Sequence, residues 1–206
     1  MSKPEPAKRP ATYADLEAVP EHLVAEIIDG VLRTHPGPSP RHAGAANAVA
    51  AKLTDPFQWG GRGPGGWVFF TEPELHLGEQ VLVPDIAGWR RERLPSYPET
   101  SYFELPPDWV CEVLSASTER RDRTSKMRIY AEAQIPHLWI IDPRQQLLEV
   151  FGSHDRRWTK LGAWNSDDEV RAPPFDAISF SLADLWPLDR PLGFNEDPMP
   201  LYAGDR

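Results

Sequence analysis

The 206-residue chain has a single cysteine, Cys111, so neither an internal disulfide framework nor a cysteine-based zinc cluster can form within it. Basic residues are scarce: 22 Lys and Arg stand against 31 Asp and Glu, a formal charge of −9. That balance argues against a protein that coats duplex DNA nonspecifically, because such binding relies on a basic surface that displaces counterions. It leaves room for a local nucleic-acid site. No apolar run approaches the ~20 residues that a membrane helix needs. Residues 1–10 carry charge without the apolar core of a secretory signal. The glycine-rich stretch 60–66 lacks the Gly-Lys-Ser/Thr ending of a phosphate-binding loop. Apart from His42, the histidines show no paired ligand spacing. These absences lead to the expectation of a soluble, cytoplasmic protein with no membrane partner.

Proline, by contrast, is abundant, at 23 residues. It is dense at both ends, so residues 1–10 read as a disordered N-terminal tail and residues 187–206 as a Pro-rich C-terminal tail. Between them, 11–186 is the expected domain. Thr12 can cap a short helix over 13–18. Residues 23–28 and 31–34 flank Asp29-Gly30, a two-residue hairpin signal. An Ala-rich helical pattern covers 41–57, with His42, Ala46, Val49 and Leu53 on one face. Strands follow at 67–71, 74–77, 81–89 and 108–114. A helix is expected over 119–134, a buried strand over 137–141, then strands near 146–151, 158–161 and 175–180. The order describes a mixed α/β domain with a parallel strand–helix–strand crossover over 108–141.

Three residues stand out chemically. Glu112 alternates with Val110 and Leu114, so a carboxylate shares a sheet face with apolar side chains. Such a group needs a cation, a donor or a metal unless the strand leaves it in solvent. Asp85 follows Pro84 in the middle of an apolar run, where proline removes a ladder donor and marks an edge or a bulge. Lys126 lies on a helical stripe with Asp122 and Tyr130. It either reaches over the strand end bearing Glu112 or forms a surface pair with Asp122. Two carboxylates from neighbouring strands and a lysine suit Mg²⁺-dependent phosphodiester cleavage. The carboxylates would hold a hard cation and the lysine would support developing negative charge.

The chain resembles the Uma-two-type restriction endonuclease family, a branch of the PD-(D/E)XK nuclease superfamily. The resemblance lies in Tyr13-Ala14-Asp15-Leu16, Ala25-Glu26-Ile27-Ile28-Asp29-Gly30, Arg41-His42, Val83-Pro84-Asp85-Ile86 and the run 108–143. It implies an α/β, restriction-endonuclease-like fold: a mixed sheet flanked by helices, with an N-terminal hairpin. It also implies a nuclease acting on DNA with Mg²⁺ or Mn²⁺. Asp85 matches the motif aspartate, Glu112 the motif glutamate, and Glu26 a glutamate before the hairpin that assists the metal or its water. Leu114 stands where a lysine completes the usual motif, and Lys126 matches the helix lysine of this family. The catalytic set is then Asp85, Glu112, Lys126 and Glu26, and the metal ligands Asp85, Glu112 and the carbonyl of Val113. His42 is either a packing residue or a contact to phosphate or water. Arg121 and Arg123, beside Lys126, are phosphate-contacting or simply solvated. Cleavage of both strands by one kind of site favours a homodimer. Two alternatives stay open: a noncatalytic nuclease fold that binds DNA or protein, and a phosphodiesterase acting on RNA or nucleotides.

Overall fold

The computed structural model describes residues 9–189. The remainder of both expected tails, 1–8 and 190–206, lies outside the described residues. At the two ends the described chain is held on the domain. Arg9 pairs with Asp15 at 2.6 Å, Ala11 N–H donates to the Gly30 carbonyl at 2.7 Å, and the turn Pro187–Asp189 brings Asp189 onto Arg41.

A capping box formed by Thr12 and Asp15 starts α1 (Tyr13–Glu17). The hairpin forms as expected between β1 (Leu23–Ile28) and β2 (Val31–Pro36). Asp29 and Gly30 both take positive φ, 52° and 71°, which is what a turn matched to strand twist demands. Ser39 caps α2 (Pro40–Leu53) by accepting the His42 N–H, and Pro40 occupies the first turn, where no N–H is missed. The helical path then continues as a π-turn, Thr54–Trp59.

The run expected to be one strand over 81–89 is two. β5 (Gln80–Leu82) joins β1 and β4 (Leu75–Leu77) in a four-stranded sheet ordered β2-β1-β5-β4. After Pro84-Asp85, β6 (Ile86–Arg90) enters a second sheet, paired with β3 (Trp67–Thr71) and β7 (Trp109–Val113). The proline, which cannot donate to a ladder, is where the chain changes sheets. The second sheet adds β8 (His137–Asp142), β9 (Leu147–His154) and β10 (Arg157–Asn165), in the order β10-β9-β8-β7-β6-β3. β7 and β8 are parallel, as the crossover pattern predicts, and the other neighbours in this sheet are antiparallel.

Two further elements depart from expectation. The strand expected at 158–161 is the first half of β10, which reaches Asn165 because a bulge between Lys160 and Gly162 lets pairing with β9 continue. The strand expected over 175–180 shrinks to Phe180–Ser181, paired with Glu169–Val170.

Each face of the larger sheet has its own core. On one, Trp109, Cys111, Val113 and Trp139 pack with Ala45, Val49 and Leu53 of α2 and with Phe175. On the other, Val110, Leu114, Leu138 and Ile140 pack with Ile129 and Tyr130. Those two residues belong to a continuous helical path: α3 (Glu119–Arg121), a π-turn (Asp122–Lys126) and α4 (Met127–Glu132). The larger sheet thus lies between α2 on one face and the α3–α4 path on the other, the expected mixed sheet flanked by helices.

Candidate active site

Glu112 projects from β7 onto the face it shares with Val110 and Leu114, and it is 3% exposed. The bland alternative of a solvent-facing edge position fails, because β7 is an interior strand between β6 and β8. Its Oε1 accepts two bonds, from Tyr130 Oη at 2.5 Å and from Lys126 Nζ at 2.7 Å. Burial pushes the Glu112 carboxyl well above its ordinary range. Lys126 offsets part of this, while Asp122 and Asp85 add to it.

The helical stripe behaves as the spacing predicts, and it faces inward. Asp122, Lys126 and Tyr130 are all buried, so the reading of Asp122–Lys126 as a surface pair is overturned. Lys126 Nζ lies 3.1 Å from Glu26 Oε1 and 3.8 Å from Asp122 Oδ1, and it donates to the Val83 carbonyl at 3.2 Å. Burial would strip its proton, but Glu112 and Glu26 outweigh burial and hold the ammonium charged well above the usual lysine range. The π-turn at Asp122–Lys126 carries two of these groups on one short segment; such turns recur at functional sites.

Glu26 stands on β1 of the smaller sheet and is likewise buried. Burial raises its carboxyl, but Lys126, the Val83 N–H at 3.1 Å and Arg121 at 2.9 Å bring it below the ordinary value. Arg121 is therefore spent on Glu26. Arg123 is turned away, to Glu149 at 2.6 Å and Glu119 at 3.8 Å, and is not brought together with the acids.

Asp85 sits at the crossing between the sheets. The β6–β7 register pairs Ile86 with Cys111, so one step on sets Asp85 opposite Glu112. Asp85 Oδ2 accepts the Val113 N–H at 2.6 Å, and Oδ1 meets His42 Nε2 at 2.5 Å. Val113 thus enters the site through its N–H. His42 Nδ1 is buried with no partner among the described residues. Burial opposes protonation of His42, but Asp85 prevails and raises its pKa, with Asp122 and Glu72 adding to the effect.

Asp85 and His42 line an open cleft of about 400 Å³, whose wall includes Ser39, Arg41, Glu72, Ser115, Ser117, Thr118 and Arg144. Sequence reasoning missed Glu72 and treated Asp122 and Tyr130 only as neighbours of Lys126. Glu72 takes positive φ, 48°, with its N–H on the Asp85 carbonyl at 2.9 Å. Its signal is the interruption Thr71-Glu72-Pro73 between two strand patterns.

Among the described residues, no group of three His, Cys, Asp or Glu side chains stands assembled for a metal ion. The donor chemistry nonetheless suits a divalent cation. Three carboxylates, Glu26, Glu112 and Asp122, share two permanent cations, Lys126 and Arg121, a balance of 2 − 3 = −1 when all are ionised, and Asp85 adds a fourth carboxylate beside His42. Hard oxygen donors in negative surplus are what Mg²⁺ and Mn²⁺ select.

No curated protein gives a significant match to the chain. A solved structure described as a putative nuclease belonging to DUF820, from Anabaena variabilis, superposes with a TM-score of 0.70 over 86% of this chain and 98% of its own, at 22% identity. That likeness shows a shared fold. The model of the Uma2 family, described as "Putative restriction endonuclease", matches residues 10–183. The chain belongs to the Uma2 family.

Proposed function

We propose that the protein is a Mg²⁺- or Mn²⁺-dependent endonuclease that hydrolyses DNA phosphodiester bonds at the cleft bordered by Asp85. The observation that carries this reading is the buried Glu112–Lys126 pair set opposite Asp85, one register step beyond the Ile86–Cys111 pair, in an acid-rich cluster. Family membership supports a nuclease at the coarse level.

In this reading Asp85, Glu112 and the Val113 carbonyl hold the metal. When bound, the ion would polarise the scissile phosphate and supply hydroxide at neutral pH. Lys126 offsets negative charge gathering on the phosphate. It is held for that task by Glu26, whose second oxygen is anchored on Arg121. Tyr130 fixes Glu112 by donating to the same oxygen that Lys126 contacts. His42 Nε2 holds Asp85 Oδ1 and stands ready to contact phosphate or water once that oxygen is drawn elsewhere. A homodimer would supply one site per DNA strand.

One observation favours the noncatalytic reading: both oxygens of Asp85 already have partners within the chain. The two readings separate in a cleavage assay. Supercoiled plasmid and a single-stranded DNA oligonucleotide are incubated with wild type or Asp85→Asn, with Mg²⁺, Mn²⁺ or chelator. Ion-dependent cleavage by wild type, lost with chelator and in Asp85→Asn, is expected. Intact DNA under every condition would leave the binding-module reading, and cleavage confined to RNA would move the substrate class.

A further inference from the structure

Resting on that reading, the next question is what draws a polyanion to a cleft that holds Glu72 and Asp85, in a chain of net charge −9. Two arginines line the cleft, Arg41 and Arg144. Arg144 is built into the structure. Its guanidinium holds Asp142, a fully buried carboxylate that also takes the Arg144 and Gln145 N–H groups, and it pairs with Glu119 at 2.6 Å.

Arg41 is different. It is half exposed at the start of α2, directly before His42, which reaches Asp85. Both of its terminal nitrogens face one carboxylate, that of Asp189. Nη2 donates to Oδ1 at 2.8 Å and Nη1 to Oδ2, and a longer 3.4 Å contact joins Nη1 to the Pro143 carbonyl. Asp189 has only one other side-chain partner among the described residues, Gln146 Nε2 at 3.2 Å. Arg41 holds its carboxyl below the ordinary value. A two-pronged arginine–carboxylate pair has the geometry that a guanidinium also offers to two phosphate oxygens.

We propose that Arg41 is a phosphate-binding residue of the cleft, and that Asp189 occupies its fork in the free protein and yields it to a DNA backbone phosphate. The C-terminal end of the domain thereby competes with substrate for a cation at the mouth of the cleft. The loss to be overcome is small, because an ion pair exposed to water is screened and contributes little.

The test reads binding alone. Fluorescence anisotropy of a fluorescein-labelled DNA duplex is followed with Ca²⁺ in place of Mg²⁺, across a salt series. The proteins are wild type, Asp189→Asn, Arg41→Ala and the double variant, each shown to be folded by circular dichroism. Asp189→Asn is expected to bind about two- to fivefold tighter than wild type. Arg41→Ala should bind more weakly, with the salt slope reduced by about one. In the Arg41→Ala background, Asp189→Asn should add nothing. Unchanged affinity in Asp189→Asn, an equal gain with and without Arg41, or no duplex binding by any variant would overturn the proposal. A nuclease reading that fails by lack of cleavage would still leave this coupling measurable, and absent coupling would leave cleavage unaffected.

Discussion

Glu112 and Glu149 occupy one row of the larger sheet. Glu112 on β7 pairs in register with Ile140 on β8, and Ile140 pairs with Glu149 on β9, so both carboxylates rise from the same face. Their fates are opposite. Glu149, 9% exposed, is met by Lys160 at 2.7 Å and Arg123 at 2.6 Å, both reaching in from the surface. Burial alone would raise its carboxyl, but these two cations bring it below the ordinary range. Glu112 has one cation, Lys126, which it shares with Glu26 and Asp122, and its carboxyl rises. The same residue type on the same sheet face has two cations to itself in one place and a share of one in the other. The difference lies first in burial, which is complete at Glu112 and partial at Glu149, and then in the sharing of Lys126 among three acids where Glu149 has two cations.

The comparison is broken most sharply through its lysines. Lys126→Ala is expected to lose ~10²-fold or more in turnover. It should also lose about 3 kcal/mol of stability, since Glu112 and Glu26 are left buried without their shared cation. Lys160→Ala, at a half-exposed position, should keep full turnover and lose no more than about 1 kcal/mol. Cleavage rates under saturating Mn²⁺ and urea unfolding of both variants check this. Equal, small effects in the two would erase the distinction between the clusters.

A smaller effect sharpens it through pH. Glu149 has a depressed carboxyl in the folded state, so its contribution is present above the ordinary value of 4.5 and is lost as pH falls through the folded value. Glu149→Gln should therefore cost up to about 1 kcal/mol near neutrality and converge on wild type in acid. For Glu112 the sign reverses. Its folded carboxyl lies above 4.5, so ionisation works against the fold as pH rises from there, and the stability of Glu112→Gln relative to wild type should climb over that range. Unfolding free energies between about pH 3 and pH 7 would show two opposite slopes; parallel slopes would contradict the assignment.

Much of this was legible in local sequence. Asp29-Gly30 marked its hairpin because a two-residue turn needs positive φ at both positions. The alternation of Val110, Glu112 and Leu114 placed a carboxylate on a core face, and the spacing of Asp122, Lys126 and Tyr130 placed them on one stripe. What local pattern could not carry was direction and distance. Spacing put Asp122 beside Lys126 without saying that the stripe faces inward. Pro84 marked a break, but the transfer of the chain from one sheet to another depends on pairing with β1, more than fifty residues earlier by number (81 − 27 = 54). Arg121 is held by Glu26 and Arg41 by Asp189, separations of 95 and 148 residues that only the folded chain closes. For that reason the arginine partners are not legible in local sequence: Arg121 meets Glu26, Arg123 meets Glu149, and Arg41 lines the cleft while paired with Asp189.

The central claim, that the Glu112 cluster lacks one cation and the Glu149 cluster lacks none, is tested most directly by calorimetric titration of Mn²⁺ into wild type, Glu112→Gln and Glu149→Gln. The account predicts binding to wild type and Glu149→Gln with the same affinity, and none to Glu112→Gln. Equal Mn²⁺ binding by wild type and Glu112→Gln would contradict it.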